Sequence, residues 1–455
     1  MLRRRRNLAL IALGALVAAG LALGAVALAG DDDRTAGGCE KSVSTTVPQP
    51  TKEQLAAAGL AKLPLQSRRV DLVAPPFSKP TEVTNPLFPI SELHSAVLNG
   101  IVEGKPFRTE TTLLPSTAVL EWSDGQCVKT LVSQYLAYLG GRIEEVALDH
   151  YAQADDGSVW YLGENVFNYE DGTIADLEGT WLAGDEGPAA MIMPAQPRVG
   201  DTYRSENIAG LVFEEVTVKA VDRTVEGPRG NVDGAIEVRE LHDDGSTEDK
   251  LFAPGYGEFF TGGGGEVEAM ALAAPTDALP GGVPDDLSTL VKAARSAYDA
   301  SSNGARRRAA HAASTAWRRH RKAGHVPPRL IAPTDRAVRA LAAVRGRADA
   351  QAAALDVEQA GLDLELQWRA PVEIDVSRLD LWLRRLLVDA RARDAGAVSG
   401  DVATAEWIRD RVVGSFAPAE LTRVNTLLVE LRANAADENF EGAVTTAAEL
   451  LRVLS

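Results

Sequence analysis

Between Asp149 and Trp181 the chain gathers residue types that hold ligands or do chemistry. Tyr151, Trp160, Tyr161, Phe167, Tyr169 and Trp181 fall within about 30 residues, although aromatic residues are only 5% of the 455-residue sequence. Such side chains wall an apolar cavity or stack on sugar rings, and equally they form the core of a twisted sheet. In an extended strand Tyr151 shares a face with Gln153, and Val159 with Tyr161. Tyr151, Trp160, Tyr161 and Trp181 are therefore the candidate ligand-binding residues, for a lipid or a carbohydrate. Interleaved with them are Asp149, Asp155, Glu164, Glu170 and Asp171. A glycosidase acid and base would stand about 5 to 9 Å apart, and Asp149 or Glu164 would carry that alternative. His150 beside Asp149 offers half of a triad, or a partly buried structural histidine.

Other chemistries find less support. Asp155-Asp156-Gly157 lacks the spaced oxygen ligands of a calcium loop. There is no Gly-x-Ser-x-Gly elbow, no HExxH and no Cys/His spacing of a zinc site. His311, His320 and His325 are not at i, i+4 spacing. No cofactor fingerprint occurs, so no catalytic residue, metal or cofactor is assigned.

The elements that must position these residues alternate with period two. Candidate strands are His94–Glu103, Phe107–Leu114, Cys127–Ala137, Arg142–Gln153, Val159–Gly163, Asn165–Tyr169, Leu211–Val221, Ala235–Leu241 and Leu251–Phe260. Turn chemistry separates them at Asp124-Gly125, Gly140-Gly141, Asp156-Gly157, Asp171-Gly172 and Asp244-Gly245. Short hairpins with no helical pattern between them predict an antiparallel meander, either a sandwich or a half-barrel.

Several ordered motifs in this region bear a likeness. They are His150-Tyr151-Ala152-Gln153-Ala154-Asp155-Asp156-Gly157-Ser158-Val159-Trp160-Tyr161-Leu162-Gly163-Glu164, Gly179-Thr180-Trp181 with Ala183-Gly184, Met191-Ile192-Met193-Pro194-Ala195, Val199-Gly200-Asp201 with Tyr203-Arg204, and Ala253-Pro254-Gly255-Tyr256-Gly257. Over about 85–275 the chain resembles an uncharacterised family of exported bacterial proteins. It departs from that pattern in Ile208–Gly234 and in the Gly262–Gly265 run. The resemblance implies an exported β domain and carries no activity.

Beyond Pro280-Gly281-Gly282 the period becomes helical. Leu379, Trp382, Leu383, Leu386 and Leu387 form a stripe on a helix of about 376–394. Trp407, Ile408 and Val412 do so on the next, with Ser399 or Asp401 as N-cap. Further helices are expected over 336–366, 419–433 and 438–454, broken at Pro371 and Pro418, which describes an antiparallel bundle. Residues 292–347 carry a net +12 and 349–455 a net −8. The basic run Arg306-Arg307-Arg308 to Lys322 reads as a solvated face pairing with acidic helices or the β domain, or as a surface for anionic lipid or polymer.

The ends of the chain place it. Leu8–Ala29 is 22 uncharged residues, about 33 Å as a helix, enough to cross a hydrocarbon core. Arg3, Arg4, Arg5 and Arg6 precede it, so they stay cytoplasmic and the bulk lies outside. A cleaved, secreted form ending at Ala27-Leu28-Ala29, or lipidation at Cys39, are the alternatives. Cys39 and Cys127 are the two cysteines, and an oxidising compartment permits them to pair. A formal charge of −17 argues against a nucleic-acid binder, and a mean hydropathy of −0.09 against a polytopic transporter.

The expected architecture is α+β and multidomain: residues 1–30 a signal anchor, 31–80 an extracytoplasmic tether, 81–275 the β domain, 276–284 a linker and 285–455 the helical bundle. The expected role is a membrane-anchored, non-catalytic envelope module binding an apolar or carbohydrate ligand. The alternatives are a hydrolase, or a scaffold docking an envelope protein through the bundle.

Overall fold

The computed structural model describes residues 42–123 and 125–454. The expected membrane segment, its arginines and Cys39 lie outside them. Among the described residues no helix is long and apolar enough to cross a membrane.

The first described residues are packed, not free. β1 (Thr45–Thr46) pairs with β2 (Val73–Ala74), with α1 (Lys52–Ala57) between them. Leu60 is fully buried, Val70 N–H donates to Thr202 O, and Asp71 accepts from the Arg204 backbone N–H. The expected tether is thus, over 42–80, a strap across the β domain. Its apolar residues Val47, Ala74 and Phe77 have a sheet face to cover.

The β domain is one sheet. β3 (Ser95–Val102), β4 (Lys105–Ser123), β5 (Gln126–Leu139), β6 (Arg142–Gln153) and β7 (Val159–Glu170) follow one another as antiparallel hairpins. β8 (Thr173–Asp176), β9 (Trp181–Leu182) and β10 (Ala190–Met193) each pair with β7. β11 (Thr202–Ile208), β12 (Val212–Gly227), β13 (Gly230–His242), β14 (Thr247–Ala253), β15 (Gly257–Gly263) and β16 (Glu266–Ala274) form a second hairpin series. β16 pairs with β3, which joins both series into a 14-stranded antiparallel sheet. Its edge strands, β10 and β11, are consecutive in the chain and lie side by side. The sheet curls round on itself, and every strand along its main path contributes a side chain to one central chamber.

Two expected strands, Val159–Gly163 and Asn165–Tyr169, are a single strand, β7. At its middle Gly163 has φ +117°, and a Cβ there would stand 2.2 Å from the Trp181 carbonyl oxygen. A glycine is needed for β9 to lie against β7. Conversely, Leu251–Phe260 is two strands, because Pro254-Gly255-Tyr256 makes a turn with Gly255 at φ +83°.

The helical region comprises α2 (Asp285–Asp299), α3 (Asn303–Ala323), α4 (Pro328–Ala343), α5 (Arg347–Glu365), α6 (Pro371–Ala392), α7 (Ala395–Arg411), α8 (Pro418–Ala436) and α9 (Phe440–Val453). Pro371 and Pro418 are at first helical positions, where the missing N–H costs nothing. The cap of α7 is Asp394, whose side chain accepts from Ala397 N–H. Ser399 and Asp401, expected as caps, lie inside that helix.

The helices dock on the outer face of the sheet, so β6 is buried on both faces through most of its length. Tyr138 stacks on Trp382 at 5.3 Å, and Trp407 Nε1 donates to Tyr169 Oη at 2.8 Å. Gly172, at the β7–β8 turn, meets α7 so closely that a Cβ would stand 2.0 Å from Gly396 O. A buried ion network ties the same junction. Arg108, Arg378 and Arg411 surround Glu110, Asp363 and Asp375, three charges of each sign. Among the described residues the arginines of α3 make no ion pair with this junction, and Arg321 pairs instead with Asp335 of α4 at 2.8 Å.

Candidate functional site

The chamber is the inward face of the sheet. Alternation along β6 turns Ala147, Asp149 and Tyr151 inward, and along β7 Tyr161 faces the same way opposite Tyr151. Residues 88–93 enter the chamber and bring Phe88, Ile90 and Leu93. The space between these walls is about 190 Å³. An apolar cavity of about 150 Å³ takes up benzene, so this one has room for a ring-sized group.

One wall is aromatic. Phe252, Phe88, Tyr151, Tyr161 and Trp181 touch in sequence. Phe88 meets Tyr151 edge-on at 4.9 Å, Tyr151 stacks on Tyr161 at 5.0 Å, and Tyr161 meets Trp181 edge-on at 5.4 Å. Tyr161 Oη donates to Asp149 Oδ1 at 2.6 Å, which fixes the ring. Burial, reinforced by Asp149 and Glu164, pushes both tyrosine hydroxyls well above their ordinary pKa, so they stay protonated donors.

The facing wall is acidic. Eight carboxylate residues line the chamber, against one ammonium, Lys250, and one imidazole, His242, among the described residues. Lys250 Nζ lies 3.0 Å from Glu240 Oε2 and 3.5 Å from Glu258 Oε2. Burial alone would lower the Lys250 pKa, but Glu240 and Glu258 hold it well above the usual value. Glu240 is raised, chiefly by burial. Burial and the neighbouring Glu258 push Glu268 up to about 7. Glu214, directly across the β12–β13 pair from His242, accepts from Ser205 Oγ at 3.1 Å and has its Oε1 3.3 Å from His242 Nδ1.

The four aromatic candidates divide. Tyr151 and Tyr161 border the chamber. Trp181 is fully buried behind Tyr161, outside the lining. Trp160 points out through the other face of β7, where its ring meets Trp122 edge-on at 5.3 Å and its Nε1 donates to Ser158 Oγ at 2.9 Å. Trp160 is packing between sheet and strap, as adjacency to Tyr161 in an extended strand requires. The same alternation separates His150 from Asp149. The His150 ring is buried on the outer face between Thr130 and Asn165, and burial lowers its pKa to about 4. The half-triad is not formed. Asp149 and Glu164, by contrast, stand opposite each other across β6 and β7. Cys127 is disulfide-bonded, and Cys39, its expected partner, lies outside the described residues.

The acidic wall is not evident in the sequence. Its residues come from β11 to β16, one or two to a strand, and no motif marks them. A retrievable signal is Glu240-Leu241-His242, two ligand-type residues two apart and so on one strand face. A larger cleft of about 990 Å³ lies between the sheet and α4, α5 and α6, bordered by Phe107, Tyr138, Leu330 and Trp382. It brings together none of the candidates.

Comparison with protein-family models, with curated proteins and with solved structures found no match to this chain.

Proposed function

We propose that the curled sheet is the binding module of an exported, membrane-anchored envelope protein, and that its ligand is a small molecule with an apolar or ring-shaped body and a positive charge. The observation that carries this reading is the division of the chamber into an aromatic wall around Tyr151 and Tyr161 and a wall of carboxylates. A low-dielectric cavity of one charge sign concentrates ligands of the other sign. A cation over an aromatic face gains about 0.5 to 2 kcal/mol more. Apolar residues alone would suit a lipid tail, and hydroxyl-matched amides a sugar; the excess of carboxylates favours a cation over both.

Export rests on Arg3–Arg6 and the apolar Leu8–Ala29, and the likeness of 85–275 to exported bacterial proteins supports it. The helical region would support the sheet and offer its outer faces to an envelope partner. A hydrolase reading keeps one favourable observation, the facing of Asp149 and Glu164.

Native mass spectrometry of the full-length chain released from detergent tests the binding reading, with organic extraction of anything retained. A reproducible added mass, lost in Tyr151→Ala and kept in Trp160→Phe, is expected. A clean apo mass from cells and after incubation with small organic cations would overturn it. Turnover of a glycoside abolished by Asp149→Asn would favour the hydrolase instead.

A further inference from the structure

On the acidic wall three side chains of different type converge. Glu214 is the register partner of His242 across β12 and β13, and Glu240 precedes His242 by two residues on the same face. All three are buried, with exposures of 2% for Glu214, 2% for Glu240 and 6% for His242. One ligand atom from each lies within 4.8 Å of the other two. Around a cation with bonds of about 2.1 Å, such atoms stand roughly 3 to 4 Å apart. Rotation of the three side chains on their strands would bring these atoms to that spacing.

The hydrogen bonding at His242 points the same way. Its Nδ1 is buried and makes no hydrogen bond among the described residues, while Glu214 Oε1 lies 3.3 Å off. Buried polar atoms are almost always satisfied, and an ion is one of the ordinary explanations when one is not. The other Glu214 oxygen is held by Ser205 Oγ at 3.1 Å, the kind of outer contact that orients a metal-binding carboxylate.

We infer that Glu214, Glu240 and His242 form a binding site for a divalent first-row transition cation. One imidazole nitrogen with two carboxylates suits zinc, manganese, iron(II) or cobalt, whereas calcium and magnesium prefer all-oxygen sets. Three protein ligands leave coordination positions free on the chamber side, unlike a closed four-ligand structural site. The site uses Glu214, Glu240 and His242 of the carboxylate wall and none of the aromatic wall, so it goes beyond the proposed ligand reading, and metal binding can fail or succeed whether or not an organic cation binds. Lys250, 3.0 Å from Glu240 Oε2, holds part of the positive charge the wall requires and so competes with the cation.

The test is a titration of chelator-stripped, full-length protein in detergent with Co²⁺, read by its visible absorption, followed by displacement with Zn²⁺. One equivalent is expected. His242→Ala and Glu240→Gln should each weaken binding at least a hundredfold, and His311→Ala, an exposed control, should leave it unchanged. Lys250→Met should tighten binding tenfold or more. X-ray absorption at the zinc edge of the unmutated protein should show one imidazole ligand, a readout that needs no variant to fold. No stoichiometric binding, equal binding by His242→Ala, or a zinc shell without imidazole would overturn the inference.

Discussion

Replacing Glu110 by glutamine tests how the sheet and the helices are held together. Glu110 is fully buried on β4, with Arg108 at 2.6 Å, Arg378 at 3.3 Å and Arg411 also paired to it. Asp363 and Asp375 balance the remaining charge of those arginines. The variant keeps shape and volume but leaves three guanidinium groups facing two carboxylates. Removing one partner of a buried pair costs about 3 to 5 kcal/mol, because the surviving charge stays desolvated. Burial alone would raise the Glu110 pKa, but Arg378, Arg108 and Arg411 drive it far below the usual value. Its contribution is therefore fully present above the ordinary carboxylate pKa and is lost as pH falls through the depressed one. Urea unfolding at pH 7, followed by tryptophan fluorescence and by far-ultraviolet circular dichroism, is the assay. Trp382, stacked on Tyr138, reports the junction. A loss of about 3 to 5 kcal/mol is expected, with at least half recovered in Glu110→Met/Arg378→Met, where the charges leave together. A loss below about 1 kcal/mol, or no recovery in the double variant, would show that the Glu110 ion network does not hold the sheet to the helices.

Two further outcomes follow from the same structure. Glu268 is lifted from an ordinary 4.5 to about 7, so the folded state binds its proton more tightly than the unfolded chain. Wild-type stability should fall as pH rises between those values, by up to about 3 kcal/mol; Glu268→Gln should exceed wild type by that amount at pH 8 and match it at pH 5 in urea titrations. Gly172→Ala places a methyl against Gly396 at a φ of +76°, whereas Gly141→Ala at +86° meets nothing within 4 Å. In thermal melts Gly141→Ala should cost about 1 to 2 kcal/mol and Gly172→Ala clearly more, and equal losses would mean that the turn does not bear on α7.

The hairpins were legible wherever a turn dipeptide stood between alternating runs, as at Gly140-Gly141 before β6. β16, with Glu266-Val267-Glu268 followed by an unbroken run Ala269–Ala274, showed no lasting alternation, because its later residues are buried on both faces. Inward and outward sets could be separated within β7 but not assigned. Trp160 and Tyr161 are both fully buried, one under the strap and one at the chamber, and only the curl of the sheet tells which is which. The helical stripe of Leu379, Trp382, Leu383 and Leu386 was plain. Arg378 and Arg411 lie in the net-acidic segment 349–455, where nothing in their spacing marks them as buried, yet the helices carry them into the junction. The solvated face of α3 was visible in its run of arginines. The chamber's acidic wall was not, since six strands must meet before scattered glutamates become neighbours.

On the proposed function, the chamber selects for positive charge beside an aromatic wall. Isothermal titration of the full-length protein with phenethylammonium and with its neutral counterpart 2-phenylethanol tests it, because the two share a ring and differ in charge. The cation is expected to bind more tightly by about 2 kcal/mol, roughly thirtyfold, and Tyr151→Ala should lower that difference without removing it, because the carboxylate wall remains. Equal affinity for the two, or no binding of either at millimolar concentration, would contradict it.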